Sequence, residues 1–196
     1  MADEIKKVAV LFSGKGSNLE KLIETLHKKS FPQAATEIVP ITNNPDAKGI
    51  DAAKMHGLET VVVDHREFAS REEFDAKLVE SIESLGADLV VMAGFMRIVT
   101  PIFTSSIKAI NLHPSLLPLF KGANAIEESF KSGMKVGGVT VHWVDSTLDG
   151  GKIIAQECVK IEPSDTLQSY TQKIKSLEHT ILPKTVAKLL KISFTP

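Results

Sequence analysis

The chain has 196 residues, 43% hydrophobic and 24% charged, the proportions of an ordinary globular domain and not of a disordered or fibrous chain. Twenty-three Lys and Arg against twenty-four Asp and Glu give a formal charge of -1, which excludes the basic field that gathers nucleic acid or an anionic membrane. The single cysteine, Cys158, excludes an internal disulfide and a cysteine-based zinc site. No apolar run approaches the roughly 20 residues that span a bilayer, and Met1-Ala2-Asp3-Glu4 lacks the apolar core of an export signal. A cytoplasmic chain of one domain is expected.

Val8 to Phe12 is a continuous apolar run, the pattern of a strand buried on both faces in a parallel sheet. Ser13-Gly14-Lys15-Gly16-Ser17-Asn18 follows and leads into Leu19, Leu22, Ile23 and Leu26 at helical spacing. Ser17 or Asn18 is placed to cap that helix, leaving N–H groups aimed at an anion. Leu19 stands where a dinucleotide fingerprint has its third glycine, and no Gly-Lys-Ser/Thr closes the turn, so neither that fingerprint nor a Walker loop is spelled. A phosphate monoester suits the loop. On local pattern alone, a βα turn that needs small residues only for geometry explains it equally.

Glu37 to Thr42 reads as the second strand, stopped by Asn43-Asn44-Pro45. Lys48 to His56 reads as a short helix ended by Gly57, and Thr60 to Val63 as the third strand. Ser70-Arg71-Glu72-Glu73 has the form of a capping box and opens a helix with Phe74, Leu78 and Ile82 on one face and Gly86 at its end. Leu89 to Ala93 is a fourth, wholly apolar strand. After it comes Gly94-Phe95-Met96-Arg97-Ile98-Val99, in which Arg97 either contacts a ligand or snorkels to solvent.

The apolar run from Ile107 to Leu112 ends in Asn111-Leu112-His113-Pro114-Ser115-Leu116-Leu117-Pro118. The prolines forbid the strand from continuing. Asn111 and His113 are two apart on a strand and share a face. They project from its C-terminal end, where open α/β sheets keep their ligands. Ala125 to Phe130 is a short helix stopped by Gly133. Val139 to Val144 and Ile153 to Ile161 are β-rich with no helix between them. Asp145-Ser146-Thr147-Leu148-Asp149-Gly150-Gly151 joins them, which predicts a hairpin or long loop and an antiparallel edge. Ser164-Asp165 is expected to cap a last helix carrying Leu167, Tyr170, Ile174 and Leu177. Pro183 is expected to kink or break it before a segment with Val186, Leu189 and Leu190. The β-α-β-α alternation predicts an α/β fold: one domain with a doubly wound, mostly parallel sheet, Rossmann-like, with an antiparallel edge near the C-terminal half.

The histidines are scattered and spell no His-Glu-x-x-His, so no metal is expected. No Gly-x-Ser-x-Gly elbow supports a serine hydrolase. A histidine at a strand's C-terminal end before proline is poorly explained as core filling, although an imidazole bracing the Leu116-Leu117 turn is the competing reading of His113. Asp149 is its expected partner, since a carboxylate beside an imidazole favours the charged ring. As one half of an Asp-Gly pair, Asp149 also reads as plain turn chemistry.

Four stretches taken together carry a resemblance: Asn111 to Pro118, the Gly14 to Leu19 loop, Ala93 to Ile98, and Leu148-Asp149-Gly150-Gly151. In order and spacing, from about residue 7 to about residue 190, they resemble the glycinamide ribonucleotide formyltransferases. These purine-synthesis enzymes pass a formyl group from 10-formyltetrahydrofolate to a primary amine. The resemblance implies catalytic roles for Asn111, His113 and Asp149. It implies ribonucleotide binding by Gly16, Ser17, Asn18 and Glu178, with Lys175, one turn from Glu178, as a second phosphate contact. It implies folate binding by Arg71, Met96, Arg97, Ile98, Val99 and Asn111, with the 145–149 loop closing over the pterin.

On the same basis, residues 1–196 form one formyltransferase domain, nucleotide-binding over about 1–100 and folate-binding and catalytic over about 88–190. Its partners are the two small-molecule substrates, with no nucleic acid and no membrane, and it is a monomer or homodimer. One departure stands out in Phe120-Lys121-Gly122-Ala123-Asn124-Ala125, where Asn124 replaces a histidine usual in the family. The competing functions are the same chemistry on a sugar amine, hydrolysis of formyltetrahydrofolate, and a noncatalytic phosphate-ligand module.

Overall fold

In the computed structural model, which describes residues 4–194, the apolar runs become strands in the expected order. They are β1 (Ile5–Phe12), β2 (Ala35–Thr42), β3 (Val61–Val62), β4 (Leu89–Met92), β5 (Ala109–His113), β6 (Val136–Trp143) and β7 (Ile153–Lys160). One seven-stranded sheet pairs them in the order β3-β2-β1-β4-β5-β6-β7. Pairing is parallel from β3 through β5, and antiparallel at β5–β6 and β6–β7. The chain leaves β1 for β2 on one side and later returns to lay β4 on the other. The C-terminal ends of β1 and β4 therefore bound the crevice where such sheets bind ligands.

The helices are α1 (Ser17–Leu26), α2 (Gly49–Met55), α3 (Arg71–Leu85), α4 (Pro101–Ser106), α5 (Ala125–Lys131) and α6 (Leu167–Leu189). Alternate residues of β1 serve opposite faces. Val8, Val10 and Phe12 pack with Leu19 and Leu22 of α1 and Ile174 of α6, while Ala9 and Leu11 pack with Phe74, Leu78 and Ile82 of α3. Apolar layers on both sides explain why this strand is a continuous run without alternation.

Three expectations are corrected. Neither Ser17 nor Asn18 caps α1: Gly16 occupies the cap position at φ 73°, with no side-chain hydrogen bond. A Cβ on Gly16 would stand 2.7 Å from Cα of Gly49, so the loop packs against α2 through bare backbone. The last helix is capped by Thr166, whose hydroxyl accepts the Ser169 N–H while its own N–H donates to the Ser169 hydroxyl, and not by Ser164-Asp165. Asp165 buttresses the turn instead, and the Lys173 ammonium, the Glu162 N–H and the Ser169 hydroxyl hold its carboxyl down to about 2. Finally, Pro183 does not break α6, which runs through it to Leu189. Pro183 and its neighbours Ile181, Leu182 and Val186 are buried, and that packing outweighs the roughly 3 kcal/mol that an interior proline costs a helix.

Residues 1–3, cited above against an export signal, lie outside the described residues. Among the described residues no helix is long and apolar enough to cross a membrane.

Candidate active site

Strand β5 delivers Asn111 and His113 to the sheet's rim, and β6 returns beside it with His142 opposite Asn111 and Thr140 opposite His113. The β6–β7 connection then carries Asp149 back over both. Its Oδ2 lies 3.4 Å from His113 Nδ1, and its Oδ1 lies 3.4 Å from Asn111 Nδ2. The backbone of Asp149 is left-handed, at φ 48°, a conformation that Asp tolerates better than most residues. The Gly122 N–H donates to its Oδ2 at 2.8 Å, so the carboxylate is held from the far side as well.

His113 is 5% exposed. Its Nε2–H donates to the Phe120 carbonyl at 2.8 Å, while Nδ1 faces Asp149. Acceptors on both ring nitrogens suit an imidazolium, which has two donors. Charge-assisted N–H···O bonds usually span about 2.7–2.9 Å, so the longer Nδ1 contact is the one a ligand oxygen can share.

His142 is the residue that sequence reasoning missed. Its Nδ1–H donates to the Trp143 carbonyl at 2.8 Å, and burial pushes its pKa below the ordinary histidine value. Neutral, it presents Nε2 as an acceptor to the Asn111 amide at 3.1 Å. It thus fixes which way that amide points, and the 3.8 Å between Nε2 and Asp149 Oδ1 is not an ion pair. Nothing in the sequence pairs residue 142 with residue 111; only the antiparallel register does.

Asn111 and Asp149 stand at the junction of two cavities. The larger, about 660 Å³, runs from Asn18, Lys175 and Glu178 at one end past Met96 and Ile98 to His113, within the range of sites that enclose a small molecule. The smaller, about 90 Å³, is a slot between the 144–149 segment and Phe95, Arg97, Ile98 and Val99, sized for one end of a ligand. Arg97 lines both cavities and stacks over the Phe74 ring at 5.3 Å, so its side chain turns along the cleft wall.

At the far end, Asn18 Nδ2 donates to Glu178 Oε2 at 3.1 Å. Burial raises the Glu178 carboxyl above its ordinary value, against the opposing pull of Asn18 and Lys175. Among the described residues the buried Oδ1 of Asn18 has no partner.

The structure does not bring every expected residue to the cleft. Arg71 is exposed in the first turn of α3 and lines neither cavity. Gly16 and Ser17 also line neither cavity; they shape the turn that presents Asn18. Asn124 is exposed at the mouth of the large cleft, where an amide can hydrogen-bond but carries no proton. Glu20, Glu24 and His56 approach one another beside α1, and none of them lines the cleft.

A formyl transferase family pattern matches residues 6–186. The chain is 34% identical over 191 residues to the phosphoribosylglycinamide formyltransferase of Bacillus subtilis, covering 96% of this chain and 97% of that one. It is also 38% identical over 187 residues to the trifunctional purine biosynthetic protein adenosine-3 of Drosophila melanogaster. That match covers 94% of this chain but 14% of the longer protein, so the chain spans about a seventh of it. The crystal structure of phosphoribosylglycinamide formyltransferase from Campylobacter jejuni is similar at a TM-score of 0.93 with 54% identity, over 96% of this chain and 99% of that one.

Proposed function

The chain belongs to the formyl transferase family, and we propose that it transfers the formyl group of 10-formyltetrahydrofolate to the primary amine of glycinamide ribonucleotide in purine synthesis. The observation that carries this reading is the meeting of Asn111, His113 and Asp149 where a wide cleft joins a narrow slot. A two-substrate transfer needs such a junction, with each reactant entering from its own side.

The ribonucleotide takes the Asn18, Lys175 and Glu178 end. The first turn of α1 has no side-chain cap, which leaves its N–H groups for the phosphate. Lys175 supplies a cation, and Glu178 accepts from sugar hydroxyls. The pterin enters the slot between Leu148 and the Phe95–Val99 wall, and the rest of the folate lies along the exposed Met96 and Ile98.

At the junction the neutral amine forms its bond to the formyl carbon while the carbonyl π pair moves onto oxygen. Asn111 Nδ2–H and His113 Nδ1–H donate to that oxygen, each contributing about 10²- to 10³-fold in rate. Asp149 holds the imidazolium and, through a water, receives the proton from the attacking nitrogen. That proton passes to the folate nitrogen as the old C–N bond breaks, which leaves the formylated amine and tetrahydrofolate.

An absorbance assay for tetrahydrofolate release tests this reading. Release is expected only when glycinamide ribonucleotide is present. Release without an acceptor would identify a hydrolase, and release driven by an amino sugar would move the acceptor to another class.

Glu178 adds a pH signature. Its ionised form accepts ribose hydroxyls, so ribonucleotide affinity is full above its raised pKa and falls as pH drops through it. Glu178→Gln is expected to raise the ribonucleotide KM and to flatten its dependence in mild acid while leaving the folate KM unchanged. An unaltered acid dependence in the variant would assign that titration to another group.

A further inference from the structure

We propose that the Ser13 hydroxyl, buttressed by Asn43, is a positioning device that holds the 94–98 wall of the cleft in place for the folate. The inference rests on the functional reading above and goes beyond it to residues that bind neither substrate.

Ser13, Asn43 and Gly94 follow the C-terminal ends of β1, β2 and β4, three neighbours in the sheet. This is the switch point, where β1 has β2 on one side and β4 on the other, and the ladders end at Phe12↔Thr42 and Leu11↔Met92. Ser13 ties all three. Its N–H donates to the Gly94 carbonyl at 3.0 Å, and its hydroxyl donates to Asn43 Oδ1 at 2.6 Å. The same hydroxyl accepts the Met96 N–H at 2.8 Å. The amide, hydroxyl and carbonyl form one polarised chain in which each bond strengthens the next.

Asn43 is 4% exposed and fixed, its own carbonyl accepting from His65 Nδ1 at 2.8 Å. At the other end of the hydrogen-bond chain, Met96 is 70% exposed on the cleft wall. Losing the hydroxyl lets water take the Met96 N–H, so the wall loosens while the Ser13 backbone bonds remain.

Calorimetric titration of the full chain with tetrahydrofolate, and separately with glycinamide ribonucleotide, tests the assignment. Ser13→Ala and Asn43→Ala are each expected to weaken tetrahydrofolate about 3- to 10-fold, as loss of one neutral hydrogen bond does. Ribonucleotide affinity should stay within about twofold of wild type. The double variant should be no weaker than the worse single, because both remove one linkage. Unchanged tetrahydrofolate affinity in Ser13→Ala, equal weakening of both ligands, or multiplying effects would each overturn it. Should Asn43→Ala fail to fold, the two titrations of Ser13→Ala decide alone. A wild-type chain that binds no tetrahydrofolate would overturn the functional reading, and this assignment with it.

Discussion

Asp149→Asn is expected to lower turnover by about 10²- to 10⁴-fold, the worth of a positioned proton-transfer group, with a modest fall in melting temperature. Asparagine has the same shape and tolerates the left-handed backbone at φ 48°, so the turn survives. What changes is the count of acceptors. The carboxylate faces three donors: the Gly122 N–H, His113 Nδ1 and Asn111 Nδ2. An amide offers one oxygen, and its NH₂ must confront at least one of those donors. The negative charge that favours the imidazolium also disappears. Turnover within a few-fold of wild type would mean that Asp149 only shapes the turn.

His113→Ala is expected to reduce kcat by about 10³-fold or more, since one change removes an oxyanion donor and the charge opposite it. The KM for the ribonucleotide should stay near its wild-type value, because Asn18, Lys175 and Glu178 lie at the other end of the cleft. Some loss of stability is expected as well, because the Phe120 carbonyl and Asp149 lose their shared donor. Steady-state kinetics separate the two effects: a large fall in kcat with a constant KM marks a group acting on the reacting atoms. A near-normal kcat would show that the imidazole braces the 115–120 turn and does no chemistry.

Much of this was legible in the sequence because it rests on side-chain patterning. Runs buried on both faces announced β1 and β4, and spacing two on β5 put Asn111 and His113 on one face. The Gly150-Gly151 turn announced the hairpin that carries Asp149. The less legible features have two sources. Some are backbone groups: the Phe120 carbonyl on His113 and the Gly122 N–H on Asp149 belong to residues whose side chains say nothing of the role. Others depend on register or tertiary packing, as with His142 opposite Asn111, the passage of α6 through Pro183, and the exposure of Arg71. At Ser13 the sequence shows a small residue in a glycine turn, while its function lies in the two distant strand ends it joins.

The fate of the formyl group itself is the most direct test of the central claim. Incubation of the chain with formyl-labelled 10-formyltetrahydrofolate and glycinamide ribonucleotide, followed by separation of products, should place the label on the ribonucleotide's amine. One tetrahydrofolate should appear for each labelled product. Label recovered as free formate, or left on the folate, would contradict an active site in which Asn111, His113 and Asp149 carry a formyl group from one substrate to the other.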